Sequence, residues 1–335
     1  MRTRTRASTT TAATVVVLLL GGGALLSAMP GCKPDIGAPP SLVDGPRLLD
    51  LLATPPEAKP GSPFMLDALM VDTSGMLAAP VAWTTCLTPT PPAESNAVSR
   101  ACVDMPDAAS PAAGPQMLTM PSDACSRFGP VPPAPLIGQP AVRPRDPDDT
   151  DGFYQPVRAA VRDVSGGGGD LLGFALVRIS CGLANAPTEI LQQFTQSYTP
   201  NSAPAFASLT VTDSQGLTST VGGPAMGPAP SVHAHEAVVL AASWADEAAE
   251  HFPVFDIANR QLVDQREALR IAWFTSAGEL LHDRTGRTAN DTVPSTDNTW
   301  TAPAVDGPTT VHFWVVLRDS RGGSTLAAFD LLVSP

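Results

Sequence analysis

Val311-His-Phe-Trp-Val-Val-Leu-Arg-Asp-Ser-Arg-Gly-Gly323, with Ala327, Phe329, Leu331 and Val333 after it, decides the fold class. Side chains of a β-strand alternate between two faces, so Val311, Phe313, Val315 and Leu317 share one face and His312, Trp314, Val316 and Arg318 the other. Asp319 to Gly323 has turn composition, and the alternation that resumes at Ala327 is a returning strand. Working outward, Leu269, Ile271 and Trp273 alternate with Arg270, Ala272 and Phe274, Ala237 to Ser243 is an apolar strand, and Phe206 to Thr212 is the first strand of this half.

The first half repeats that order. Pro63 to Val71 is an apolar strand ending at Asp72, Val81-Ala-Trp83-Thr-Thr85 matches Ile271-Ala-Trp273-Phe-Thr275, and Phe174 to Ile179 takes the place of Val311 to Leu317. An apolar early strand, a Trp on the third strand and a late apolar strand before a turn together resemble the immunoglobulin-like and PKD-like β-sandwiches of bacterial envelope proteins, over about 80% of the exported chain. The runs Asp283-Arg-Thr-Gly-Arg287, Asn298-Thr-Trp-Thr-Ala-Pro303 and Val316-Leu-Arg-Asp-Ser-Arg-Gly-Gly323 are similar to those of uncharacterised predicted lipoproteins of Gram-negative bacteria, a family that carries no known activity. The resemblance implies an all-β chain of two immunoglobulin-like antiparallel β-sandwich domains in tandem, 46–199 and 205–335, with Pro200 to Pro204 as the hinge. The first would carry a Pro-rich insertion over about 87–152; connections that long are usually functional or disordered, and the two cysteines in this one suggest an ordered, disulfide-pinned excursion. Thr188 to Tyr198 reads two ways: Ile190, Leu191, Phe194 and Tyr198 fit a helical face, yet a sandwich wants a last strand there.

Composition narrows the function classes. The 335 residues, 43% hydrophobic and 16% charged, can bury a sizeable core and exceed one ordinary core. With 36 Pro and 27 Gly and no collagen period, helical bundles and coiled coils are excluded. A formal charge of −12 with only 20 Lys+Arg argues against nucleic-acid binding, which needs clustered cations.

Arg2, Arg4 and Arg6 precede a mostly apolar stretch from Ala12 to Met29, the order of a secretory signal peptide, here 1–31. Gly31-Cys32 resembles the end of a bacterial lipobox, although Met29 and Pro30 depart from it. In that family Cys32 would be diacylated and become the first residue; cleavage near Ala28 is the alternative. Lys33 in place of aspartate then implies the outer membrane, periplasmic or surface-facing. Residues 32–45, with Pro34, Pro39 and Pro40, read as a tether. Removing 1–31 takes three Arg and no acid from 20 Lys+Arg against 32 Asp+Glu, which leaves a formal net of −15.

With Cys32 lipidated, Cys86, Cys102, Cys125 and Cys181 remain, an even number that suggests two disulfides in an oxidising compartment. No Cys-x-x-Cys pair supports zinc. The third and late strands of such a sandwich pair antiparallel, which would put Cys86 and Cys181 at opposite ends of the sheet. Local closure then favours Cys86 with Cys102 and Cys125 with Cys181.

The common nucleophile, metal, phosphate and dinucleotide signatures are missing. His233, His235 and Glu236 could hold a metal, or simply open a strand. Asp146, Asp148, Asp149 and Asp151 resemble a calcium loop, without the EF-hand spacing. Glu247 and His251 would be neighbours on a short helix beside Asp246 and Glu250. Gly166 to Gly169 reads as a turn. Trp83 and Trp273 belong in cores, whereas Trp300 and Trp314 could be packed or could form a sugar-stacking surface. The expectation is therefore a non-enzymatic envelope lipoprotein without cofactor, anchored to the membrane through Cys32 and working on a protein or glycan partner. Its contact surface would be the insertion, so that deleting Pro91 to Pro121 would abolish capture. A calcium-dependent adhesive or carbohydrate-binding module is the alternative. An envelope hydrolase, centred on His282 and Asp283, comes third.

Overall fold

In the computed structural model, strands take 47% of the chain and helices 8%, so the protein is all-β. The structure describes residues 37–90, 98–107, 110–131, 146–164, 169–222 and 229–335. The signal segment and Cys32 lie outside them. So do most of Gly166 to Gly169 and much of the stretch around Pro91. Contacts divide the chain into two units, Met1–Gly37 and Ala38–Pro335, and everything below concerns the second.

The first half contains β1 (Arg47–Thr54), β2 (Glu57–Ala58), β3 (Pro63–Asp72), β4 (Gly75–Met76), β5 (Ala82–Thr85), β6 (Gln116–Thr119), β7 (Tyr154–Val161) and β8 (Leu171–Ile179). Its helices are α1 (Arg100–Val103), α2 (Ala124–Arg127) and α3 (Thr188–Ser197). One sheet joins β1 to β3, with β4 and β6 also on β3; the other runs β2-β8-β7-β5, with β2 parallel to β8.

The second half begins with β9 (Phe206–Thr212), β10 (Thr218–Val221), β11 (Ser231–His233), β12 (Ala237–Trp244), β13 (His251–Asp256) and β14 (Gln261–Arg266). It continues with β15 (Leu269–Thr275), β16 (Glu279–Leu280), β17 (Arg284–Arg287), β18 (Ser295–Thr301), β19 (Thr309–Arg318) and β20 (Ser324–Ser334). Its sheets run β10-β9-β12-β18-β16 and β11-β20-β19-β15-β17, with β11 parallel to β20, and β13 and β14 form a separate hairpin. The two halves thus share an order: first strand on second, a short strand parallel to the last, then last, penultimate and Trp-bearing strand. Trp83 on β5 and Trp273 on β15 each pack into the core of their half.

Alternation along two strands stacks these sheets into four layers. On β3, Phe64, Leu66 and Met70 face Val157, Ala159 and Val177 of β7 and β8, while Leu69 and Val71 face away. On β19, Val311, Phe313, Val315 and Leu317 face the core of the second half, while Trp314 and Val316 meet Leu69 and Val71. β19 is consequently buried on both faces, which its unbroken Phe-Trp-Val-Val-Leu run permits.

Several expectations need correction. Phe174 to Ile179 lies in β8, the counterpart of β20. The counterpart of β19 is β7, whose Tyr-Gln-Pro-Val-Arg-Ala-Ala-Val sequence hides it. Because β5 and β8 are both antiparallel to β7, they run parallel to each other, and Cys86 and Cys181 lie beyond the same end of the sheet. The expected disulfides, Cys86–Cys102 and Cys125–Cys181, do form, each with 5.4 Å between Cα atoms. What separates Cys86 from Cys181 is the intervening strand, about two spacings of ~4.8 Å, rather than opposite ends.

The 87–152 stretch is partly sheet, since β6 pairs with Pro63–Leu66 of β3. Deleting Pro91 to Pro121 would remove that strand together with Cys102, so it tests folding before capture. Thr188–Ser197 is helical and buries Phe194 against Phe255 of β13. The end of the expected tether is folded, with Ser41 and Val43 buried and bonded to Thr275 of β15. Trp300 and Trp314 are both buried, at 0% and 1% exposure, which removes them as a sugar-stacking surface.

Candidate functional site

Where α3 ends and the chain passes into the second half, the fold buries charge. Arg178, near the end of β8 and opposite Tyr154 of β7, is 3% exposed. A buried guanidinium is tolerated only when its N–H groups find acceptors. One terminal nitrogen donates to Thr150 Oγ1 at 2.6 Å and to the Tyr154 hydroxyl at 3.3 Å, the other to the Thr150 carbonyl at 2.8 Å. Nε donates to the Tyr198 hydroxyl at 3.3 Å and lies 3.6 Å from Glu57 Oε2. The Glu57 carboxylate, placed by β2, accepts from Ser180 Oγ and the Tyr198 hydroxyl, both at 2.7 Å, and from the Asn201 amide at 2.9 Å. Burial pushes the Tyr198 phenol up to about 12, so it stays a donor.

A second cluster adjoins it. Arg321, in the β19–β20 turn, is fully buried and donates to Glu267 at 2.6 Å, to Glu250, and to the Thr199 carbonyl at 3.2 Å. Its guanidinium lies over the Phe252 ring, 4.7 Å from the centroid. Asp319 Oδ1 accepts from the amides of Arg321 and Gly323 at 2.8 Å; a Cβ on Gly323 would collide with the other oxygen. Asn201 ties the clusters together, its amide on Glu57 and its Nδ2 3.3 Å from both Asp319 oxygens. Pro200 to Pro204, expected as a hinge, is therefore pinned through Asn201, and Ser202 Oγ adds a bond to Glu250 at 2.6 Å. Burial, and then repulsion from Asp319, push Glu267 up to about 7. Asp319 is raised by burial as well.

Beside the first cluster lies a cavity of about 240 Å³, lined by Glu57, Lys59, Asp151, Arg178, Phe194 and Tyr198 among others. A larger open groove of about 950 Å³ lies along the β13–β14 hairpin, with Asp246, His251, Asp264 and Arg266 on its wall. There His251 Nδ1 and Asp264 Oδ2 are 2.7 Å apart.

The structure disperses the other candidates. Asp148 Oδ1 accepts from the amides of Thr150 and Gly152 and from Thr150 Oγ1, and its Oδ2 from the Tyr154 hydroxyl. Burial alone would raise this carboxyl, but those donors outweigh it and hold it low. Asp151 accepts the Phe255 amide of the second half, and Asp146 and Asp149 lie exposed, so the four acids do not converge. Among the described residues no group of three or more His, Cys, Asp or Glu is arranged to hold a metal ion.

Glu236 is bonded to the amides of His233 and Ser214, which, with the Ser214 hydroxyl, hold it down at about 2. Asp246–Ala248 is a 3-10 turn and His251 opens β13, so Glu247 and His251 are not helix neighbours. The backbone of His282 is bridged by the Asn298 side chain, and both His282 and Asp283 are exposed. Sequence reasoning missed Glu57, Arg178, Asn201, Glu267 and Arg321 altogether. The available signal was charged residues embedded in strand-like or turn sequence, as in Ala-Leu-Val-Arg178-Ile.

No protein-family model and no curated protein matches this chain. Among solved structures, dimeric latent PorU from Porphyromonas gingivalis is similar at 9% identity over 88% of this chain, with a TM-score of 0.20. The match covers 34% of the PorU chain, about a third of its length. A likeness at that score carries no argument about fold or activity.

Proposed function

We propose that this chain is an exported cell-envelope lipoprotein that works by binding or structural support, without bond chemistry. In this reading the sheet pairs are two immunoglobulin-like sandwiches in tandem, 46–199 and 205–335, and Cys32 carries the lipid that anchors the protein in the outer membrane. The observation that carries the non-enzymatic reading is how the buried charges are spent. Glu57, Arg178, Glu267, Arg321 and Asp319 are consumed by bonds to one another and to the chain passing between the halves. They serve to hold two sandwiches as one scaffold instead of acting on a substrate. The short strand parallel to the last strand in each half supports the immunoglobulin-like assignment. Binding then falls to the cavity at the junction and to the loops around it, acting on a protein, a glycan or a smaller envelope molecule.

Intact mass of the membrane-extracted protein, with a Cys32→Ala control and a thiol count without reductant, tests the anchored part. A diacylglyceryl mass that disappears in the Cys32→Ala variant is expected, with no free thiol at Cys86, Cys102, Cys125 or Cys181. An unlipidated soluble protein would overturn the anchor.

A further inference from the structure

The 240 Å³ cavity holds two charges that the junction does not consume. Lys59, one of only two lysines in the sequence, lies on its wall, exposed and without an ion-pair partner among the described residues. Asp151 lies on the same wall. One of its oxygens accepts the Phe255 amide, and no neighbour among the described residues is bonded to the other. Lys59 and Asp151 do not form an ion pair with each other, so one pole of each sign faces the same small space. Glu57 and Arg178, also on the wall, are saturated by Ser180, Tyr198, Asn201, Thr150 and Tyr154, and they fix the shape of the cavity instead of competing for a ligand. Phe194 and Tyr198, stacked with ring centroids 4.5 Å apart, supply an apolar side. Burial raises the Asp151 carboxyl against the pull of the Phe255 amide and of the Arg178 charge, neither of which occupies its second oxygen.

We propose that this cavity binds a free α-amino acid with an apolar side chain, its ammonium on Asp151, its carboxylate on Lys59 and its side chain against Phe194 and Tyr198. A zwitterion matches both poles at once, and the volume is on the scale of one amino acid. Recognition by two opposite charges also discriminates against ligands that lack either one: without an ammonium the half-buried Asp151 is left unpaired, and without a carboxylate the Lys59 contact is lost. The inference rests on the reading of the chain as a binding protein and names the ligand class of that same junction.

The test is titration calorimetry of the full exported chain with L-leucine, L-valine and L-methionine, and with N-acetyl-L-leucine and L-leucinamide, which each lack one charge. Saturable binding of the free amino acids is expected, at least tenfold weaker for both derivatives. Lys59→Met and Asp151→Asn should each weaken L-leucine at least tenfold while keeping the wild-type circular dichroism spectrum. Asn retains an acceptor for the Phe255 amide, and if that variant does not fold, Lys59→Met alone carries the test. Absence of binding by all three amino acids, equal binding of either derivative, or wild-type affinity in folded Lys59→Met would overturn the site. Chromatography of the recovered ligand separates the two readings. Conversion to a product would sink the non-enzymatic function but leave the site standing, whereas failure to bind would sink the site alone.

Discussion

The two halves share a strand order but are held together by different means. In the second half, long strands such as β19 and β20 close over Trp244, Trp273, Trp300, Phe313 and Phe329, and no cysteine is present. In the first, β5 and β6 are four residues each, and the core has fewer aromatic rings, Phe64, Trp83 and Phe128, beside Ala58, Ala124, Ala159 and Ala175; Ala175 stands where the other half has Phe329. Small side chains bury less apolar area, so this core contributes less. Two disulfides, and the docking of Leu69 and Val71 on Trp314 and Val316, make up the difference. One topology can therefore be stabilised from inside or from its surroundings, and the thinner copy needs its neighbour.

Removing the largest interior group of the thicker half should have the largest effect. Trp300 is fully buried, stands edge-on to Phe313 and donates Nε1 to the Ala277 carbonyl at 3.0 Å. Trp300→Ala is expected to cost about 3–5 kcal/mol in urea unfolding. The comparison predicts that both halves then melt together; a first half that survives would show it to be self-sufficient. Next comes the longer disulfide, which closes 56 residues. Replacing Cys125 and Cys181 with Ser should destabilise by about 2–5 kcal/mol, with the loss appearing first in amide exchange of β7 and β8. Equal exchange loss in both halves would mean that the staple serves the whole unit.

The junction adds a pH dependence. Glu267 has a folded pKa of about 7 against an ordinary 4.5, so the folded state binds more protons between these values. Stability from this group is therefore fully present below about pH 4.5 and is lost as pH rises to about 7, by up to about 3 kcal/mol. Denaturant midpoints from pH 5 to 8 should fall, and Glu267→Gln should flatten the curve. A flat wild-type curve would refute the assignment. The smallest effect belongs to the first half. Ser99 caps α1, accepting from the Cys102 amide and donating to the Thr88 carbonyl at 2.8 Å. Ser99→Ala should cost about 1 kcal/mol. A larger loss would show that this short helix matters to more than the Cys86–Cys102 link.

Much of the second half could be read directly, because Val311 to Leu317 and Ala327 to Val333 alternate visibly along strands long enough to carry the signal. The other face of β19 could not be, since burial of Trp314 depends on a sheet more than 200 residues earlier in the chain. β7 was hidden by Gln155, Pro156 and Arg158; the two polar side chains find distant partners, with Gln155 Nε2 on the Cys86 carbonyl at 2.6 Å and Arg158 paired with Asp107 at 2.6 Å. Pro156 survives inside the ladder because the Cys86 carbonyl, opposite its missing N–H, accepts from Gln155 Nε2 instead. The same physics concealed the junction. Glu57 and Asn201, or Glu267 and Arg321, look like solvent-facing polar residues until the fold brings them together. Local pattern finds what burial repeats along a strand, but not what pairs across it.

The order at the start of the folded unit has a mechanical consequence. Ser41 and Val43 bond to both backbone groups of Thr275, so the chain is first clipped to the second half and only then enters β1 of the first. Tension arriving from the N-terminal side meets that clip before any strand of the first half. The clip is two backbone bonds long, far shorter than the β1–β3 ladder behind it, so it acts as a fuse. Load that exceeds it is passed to β1, whose ladder with β3 lies in the half that carries the disulfides.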